Sequence, residues 1–182
     1  STKLFNKDNI YLNKHNFTGD IYKRNVSDNF IQQVKEKGLC NLVTADGGFD
    51  YSNDFNKQEL LSYKLIYCEI FIALNIQKNN GSFILKVFDI FYHKTIQLLY
   101  LLYLSYEEIH IYKPTISRLS NSEKYIVCKG FKGFNKEITD ILNLSLIHIS
   151  EPTRRTPISY AVFCLKKPLL SAPVPVRVVP TF

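Results

Sequence analysis

Three residues of this chain combine the type and the setting needed for acid–base chemistry: Asp46, Lys86 and Glu123. Asp46 ends an apolar run, Leu42 to Ala45, and is followed by Gly47 and Gly48. A buried strand stops in this way, as a short apolar run bounded by turn residues. In open α/β sheets the crevice beyond the carboxyl ends of such strands is where ligands bind. The paired glycines let the backbone approach a ligand closely or take φ > 0. Lys86 interrupts the otherwise apolar stretch Ser82 to Phe88, which is costly unless an acid or a polar cleft satisfies it. A nearby acid favours the ammonium form and desolvation favours the amine. That tension is how a lysine is tuned for proton transfer. Taken alone, the three residues fit a structural ion pair at the sheet edge as well as a catalytic group, and Asp46 fits a turn acid before a helix.

The elements that would carry these residues can be read from periodicity. The segment Ser27 to Lys37 predicts a helix, with Ser27 or Asp28 as its N-cap and Gly38 as its stop. Strand Asn41 to Ala45 leads to the Asp46 turn. Asp54 then caps a helix over 55–78, in which Leu61, Leu65, Cys68, Ile72 and Ile76 form one apolar face. Asn79-Asn80-Gly81 ends it. Strand Ser82 to Phe88, helix His93 to Leu104, strand Ile109 to Tyr112 and strand Lys124 to Cys128 follow. Lys129 to Phe134 reads as a basic, aromatic terminal turn. Alternation of strands with helices implies an α/β fold with a mostly parallel sheet, and the final two strands, joined without a helix, imply an antiparallel edge hairpin.

Composition divides the chain in two. The 182 residues carry a formal charge of +7 and contain no Met, so the chain is expected to start inside a longer reading frame. Residues 1–17 are polar and rich in Asn and Lys, and read as a surface loop or insertion. From Leu144 to Arg154, and again from Ile158 to Lys167, the residues resemble the in-frame translation of a transposase-type sequencing adapter, with Arg155-Thr156-Pro157 at its index. Residues 144–182 are therefore expected to be a non-biological, disordered tail. They hold five basic residues and one acidic one, so residues 1–143 hold 18 and 15, a net of +3. The basic balance is then weak evidence for a nucleic-acid partner. Four dispersed cysteines have no zinc-ligand spacing and suggest no disulfide framework. No signal peptide or membrane-spanning run is visible.

Four segments, in order, carry a family resemblance: Thr44-Ala45-Asp46-Gly47-Gly48-Phe49, Gly81 to Asp89, Tyr112 to Arg118, and Asn121 to Gly130. The chain from about Thr18 to Lys132, within a partial domain expected over 18–143, resembles the carboxyl-terminal two-thirds of an FtsJ-type ribose 2′-O-methyltransferase. Within that superfamily it is most similar to the mRNA cap enzymes of eukaryotes and large DNA viruses. The resemblance implies a Rossmann-like methyltransferase sheet. It also implies transfer of a methyl group from S-adenosylmethionine to a ribose 2′-hydroxyl of RNA, expected to be the capped 5′ end of mRNA, with no metal and no membrane partner. Of the family's Lys-Asp-Lys-Glu tetrad, it places the Asp on Asp46, the second Lys on Lys86 and the Glu on Glu123. Asp20 and Ile21, in the acidic turn after Gly19, would face the cofactor together with Asp46; Ser117, Arg118 and Ser122 would lie on the RNA side.

The family's first tetrad lysine and its Gly-rich cofactor loop have no match upstream of Gly19. The fragment is therefore expected to be inactive alone although its parent is an enzyme. Two other readings stand beside the cap enzyme: a methyltransferase of ribosomal or other structured RNA, and a non-catalytic RNA-binding module that retains the fold. Localisation is expected to be cytoplasmic, including a viral factory, or nuclear, and not secreted.

Overall fold

The structure is a computed structural model that describes residues 10–12, 20–48, 58–115, 117, 121–140, 142 and 162–165. In chain order the elements are β1 (Ile10–Leu12), α1 (Arg24–Lys37), β2 (Cys40–Ala45), α2 (Gln58–Ile76), β3 (Gln77–Val87), α3 (His93–Ser105), β4 (Tyr106–Tyr112), β5 (Lys124–Phe131) and β6 (Val162–Leu165). Residues 136–140 are also helical. The strands form one mixed sheet in the order β1-β6-β2-β3-β5-β4.

The α/β class expected from the sequence is present, but the sheet is not mostly parallel. Among the described residues only β2 and β3 pair in parallel; β3–β5 and β5–β4 are antiparallel. It follows that β2, β3 and β4 point the same way and that β5 runs against them. The β4–β5 hairpin folds inward, so β5 sits between β3 and β4 and replaces one potential parallel pairing, β3–β4, with two antiparallel ones. The carboxyl ends of β2, β3 and β4, and the amino end of β5, therefore lie along one edge of the domain.

Helix α2 is not an amphipathic surface helix with one apolar face. From Leu65 to Ile76 every residue is buried, and α2 touches α1, α3, β2 and β3. A helix that is apolar all round is a core helix, and α2 is the hub of the hydrophobic cluster. It also ends earlier than expected, at Ile76 rather than Lys78, and the chain turns directly into β3. The Asn79-Asn80-Gly81 turn signal is still visible. Asn80 has φ +63, and the β2–β3 register jumps between Cys40↔Gln77 and Leu42↔Ser82. These residues make a bulge inside the strand rather than a helix stop.

Helix α1 starts at Arg24, and neither Ser27 nor Asp28 caps it; Ser27 instead donates to the carbonyl of Ile21 at 2.7 Å. Lys129, Gly130 and Phe131 belong to β5 rather than to a terminal turn.

The two ends of the sequence depart from expectation. Within the expected polar loop, Ile10–Leu12 forms an edge strand, and within the expected disordered tail, Val162–Leu165 forms β6, antiparallel to both β1 and β2. The physical reason is an edge. β2 is an apolar strand whose side away from β3 offers unpaired N–H and C=O groups. The sequence Val-Phe-Cys-Leu at 162–165 has the β-branched and aromatic composition that pairs with such an edge, whatever its origin. Cys40 at the start of β2 is disulfide-bonded, which the cysteine spacing did not suggest, while Cys68 and Cys128 are free and buried.

Candidate functional site

The parallel register of β2 and β3 fixes the centre of the site. Thr44 lies beside Ile84 and Ala45 beside Leu85, so the next residues, Asp46 and Lys86, emerge side by side at the strand ends. Lys86 Nζ is 2.5 Å from Asp46 Oδ1 and 3.4 Å from the Asp46 carbonyl oxygen. The pair is asymmetric. The lysine side chain is 13% exposed and the aspartate side chain 63% exposed, so an aliphatic stem in the protein presents its charge to a carboxylate that looks outward. The backbone of the glycine pair walls the lysine, since a Cβ at Gly48 would stand 3.5 Å from Nζ.

On its other side Lys86 is paired in register with Tyr125 of β5. The Tyr125 hydroxyl donates to Glu123 Oε1 at 3.0 Å. Burial first, then the bond to Glu123 and the charge of Asp46, push the phenol up to about 12. It therefore keeps its proton and acts as a donor. Asp46, Lys86, Tyr125 and Glu123 thus form a row across three strands, with Glu123 reached through Tyr125. The Glu123 backbone is held on both sides: its N–H donates to Asn121 Oδ1 at 3.0 Å and its carbonyl accepts from Lys113 Nζ at 3.1 Å.

The acid behind the row is Glu69 of α2. It is 1% exposed, and its Oε1 accepts from the Gly47 N–H at 2.9 Å. Burial pushes its carboxyl up to about 8, opposed by the Gly47 bond and by the charge of Lys86, and reinforced by Asp46. A carboxyl in that range holds its proton at neutral pH. Neither Tyr125 nor Glu69 was singled out from the sequence. For Glu69 the available signal was an acid inside the apolar run Leu65 to Ile76, the same signal that marked Lys86.

The remaining expected residues are placed less uniformly. Asp20 opens the turn before α1; its Oδ1 accepts from Tyr22 N–H at 3.1 Å, and its charge acts on Cys68, the neighbour of Glu69. Ile21 is 2% exposed and belongs to the core, so its side chain is not offered to a ligand. Ser117 and Ser122 lie in the β4–β5 connection, on the same edge of the sheet as Lys86; Ser117 N–H closes a turn on Pro114 O at 3.0 Å and the Ser122 carbonyl accepts from Lys124 Nζ at 3.0 Å. Arg118 lies outside the described residues. Two open grooves of about 540 Å³ each meet around Phe134, Lys136 and Thr139, and neither is lined by Asp46, Lys86, Tyr125 or Glu123. The chemistry sits on an open strand edge rather than in those grooves.

A lysine held by one carboxylate, flanked by a tyrosine–glutamate pair and backed by a buried acid can bind a hydroxyl, orient it and take up or share its proton. Known proteins resemble the chain over the segment that carries these residues. The profile of the FtsJ-like methyltransferase family matches residues 3–131. The human cap-specific mRNA (nucleoside-2′-O-)-methyltransferase 1 is 39% identical over 127 residues, covering 68% of this chain and 15% of that protein. The mouse cap-specific mRNA (nucleoside-2′-O-)-methyltransferase 2 is 36% identical over 139 residues, covering 76% of this chain and 18% of that protein. A solved structure described as that of a ribosomal RNA methyltransferase from Plasmodium falciparum superposes with a TM-score of 0.48 at 20% identity, covering 68% of this chain and 62% of the other. The chain spans less than a fifth of the length of these curated relatives. The segment that aligns includes β2, β3, β4 and β5 with the whole Asp46–Lys86–Glu123 row, and the chain belongs to the FtsJ-like methyltransferase family.

Proposed function

We propose that the protein carrying this domain transfers a methyl group from S-adenosylmethionine to a ribose 2′-hydroxyl of RNA, at the capped 5′ end of mRNA. The observation that carries the reading is the 2.5 Å contact between Lys86 Nζ and Asp46 Oδ1 at the ends of two parallel strands. A ribose hydroxyl is a poor nucleophile until its proton is shared or removed. Lys86 is the group placed to meet it: in its amine form Nζ would accept the hydroxyl proton as the 2′-oxygen attacks, while the donor, when bound, would supply the methyl carbon and leave as a neutral thioether. Asp46 holds Nζ in place from one side. Tyr125 and Glu123 close the row from the other. Much of the rate would come from alignment of oxygen, carbon and sulfur.

The residues present fit part of a site for the methyl donor. Asp46 offers a mostly exposed carboxylate at a strand end, and Asp20 a second one at the turn before α1. The donor supplies an electrophilic methyl group when bound. RNA recognition is supported by the same edge of the sheet, where the β4–β5 connection carries Lys113, Ser117 and Ser122, and by Phe91, five residues after Lys86 and 82% exposed, an aromatic surface on which a base can stack.

The test is transfer of labelled methyl from S-adenosylmethionine to RNA that is capped, uncapped or structured. Label on the ribose of capped RNA supports the reading. Equal labelling of uncapped structured RNA would replace the cap with another RNA substrate, and RNA binding without transfer would leave a binding module.

A further inference from the structure

We propose that Glu69 is a positioning residue for Lys86, acting through the single peptide that joins Asp46 to Gly47. The two hydrogen bonds involved belong to the same planar amide. Its N–H, on Gly47, donates to Glu69 Oε1 at 2.9 Å, and its carbonyl, on Asp46, faces Lys86 Nζ at 3.4 Å. An amide whose N–H is engaged by an acceptor is the more polarised at its oxygen, so the two bonds support each other. Glu69 also sets the height of that peptide. A Cβ at Gly47 would lie 2.6 Å from Glu69 Oε1 and 2.8 Å from Leu65 Cδ2, so the backbone rests directly on α2. A buried carboxyl inside a core helix is costly, and the packing of α2 against the sheet would be served equally by an apolar residue. What an apolar residue could not do is hold the N–H of the turn that carries Asp46. The burial that raises the Glu69 carboxyl to about 8 keeps it neutral near pH 7, so a glutamine has the same shape and the same acceptor.

This inference rests on the functional reading only for its purpose, and its test does not need methyl transfer. Lysine side chains of the 182-residue chain are labelled with a trace of acetic anhydride at pH 7, and the label on Lys86 is expressed relative to that on Lys124, whose Nζ pairs with Asp89 at 3.3 Å on another part of the edge. Glu69→Leu removes the acceptor. Gly47→Ala drives the carboxyl off from the opposite side. Each should raise the Lys86-to-Lys124 ratio about fivefold, the scale of one lost hydrogen bond. Glu69→Gln keeps the acceptor and should leave the ratio within about 1.5-fold of wild type. A folded Glu69→Leu or Gly47→Ala variant with a wild-type ratio overturns the proposal. So does a folded Glu69→Gln variant in which the ratio rises as far as in the leucine variant, because a positioning acceptor is then not what Glu69 supplies. The expected labelling pattern with no methyl transfer to any RNA would sink the functional reading and leave the positioning role standing.

Discussion

Lys86 and Asp46 meet because β2 and β3 run parallel with Ala45 opposite Leu85, although 40 residues and the whole of α2 separate them in sequence. The contact is short, 2.5 Å, yet one partner is 63% exposed. An ion pair that open to water contributes little to stability. Asp46→Ala should therefore change unfolding free energy by less than about 1 kcal/mol. Lys86→Met, which places an apolar chain of similar length in a strand that is otherwise apolar, should be neutral or mildly stabilising. Urea denaturation of both variants checks this. A loss of several kcal/mol in either would mean that the pair is a structural clamp rather than a group kept for chemistry.

The two glycines after Asp46 should behave differently although they are adjacent. At Gly47 a Cβ would stand 2.6 Å from Glu69 Oε1 and 2.8 Å from Leu65 Cδ2, closer than real atoms approach, so the turn or α2 must move. Gly47→Ala should cost about 1–3 kcal/mol, as overpacking of a filled site does. At Gly48 the nearest atom is the tip of Lys86 at 3.5 Å, an ordinary contact. Gly48→Ala should fold with near wild-type stability. Thermal or urea unfolding of the two variants side by side is the measurement, and equal costs would contradict the close packing of Gly47 on α2.

Strand order shows where sequence reasoning stops. The helices α1, α2 and α3 and the strands β2 to β5 were legible because each apolar run is bounded by its own turn residues. That β5 inserts between β3 and β4 was not, because hairpin signals give pairing but not the side on which the hairpin docks. Glu69 was missed for a related reason. Reading Leu65, Cys68, Ile72 and Ile76 as one apolar face leaves Glu69, four residues after Leu65 and three before Ile72, at the border of that face where an acid can still reach water, and only tertiary packing reveals that α2 has no solvent side there. Asp46, Lys86 and Glu123 were visible because a charge inside or at the end of an apolar strand conflicts with its surroundings. Tyr125 was hidden because a tyrosine in a strand conflicts with nothing.

Glu59 supports the segment that follows Lys86. It is 4% exposed, and its carboxylate accepts from Phe91 N–H at 3.0 Å and from Tyr92 N–H at 2.9 Å, the backbone donors at the start of α3. No side chain of α3 caps its own first turn. Glu59→Ala strands these donors and should destabilise the fold by about 2 kcal/mol. Amide hydrogen exchange at Phe91 and Tyr92 should accelerate more than exchange in β3. Unchanged protection at those two amides would show that α3 is held by packing alone.

The raised carboxyl of Glu69 predicts how stability varies with pH. Its ordinary value is 4.5 and burial lifts it to about 8. Below 4.5 both folded and unfolded chains hold the proton and Glu69 adds no slope. Between 4.5 and about 8 the folded state keeps a proton that the unfolded state has released, so stability falls as pH rises. The slope from this one group is at most about 1.4 kcal/mol per pH unit, and it levels off above the folded value. Lys86 works against the shift and Asp46 with it. Glu69→Gln removes the titration and should flatten the decline between pH 5 and 8. Urea midpoints for wild type and Glu69→Gln across that range are the test, and parallel curves would mean that Glu69 titrates normally.

Lys86 is the residue on which the proposed reaction turns, and its substitutions separate binding from chemistry. Lys86→Ala should abolish ribose methylation but leave S-adenosylmethionine affinity largely intact, because the lysine acts on the acceptor hydroxyl. Lys86→Arg should not rescue, since a guanidinium stays protonated and would project a planar fork against the wall formed by Gly48. Asp46→Ala should lower turnover while keeping Lys86 in the protein. A misplacement of about 1 Å costs roughly 100-fold when a nucleophile and a methyl carbon must stay in line. Asp46→Ala should also weaken donor binding, because its carboxylate faces outward at the strand end. Tyr125→Phe breaks the bond to Glu123 Oε1 and should reduce turnover by less than Lys86→Ala, because it leaves the Lys86–Asp46 contact in place. The assay is labelled methyl transfer to capped RNA, with donor affinity measured separately by calorimetry. Wild-type turnover in Lys86→Ala would remove the lysine from the mechanism. Loss of donor affinity in that variant, matching the loss of turnover, would move Lys86 from the RNA side of the site to the cofactor side.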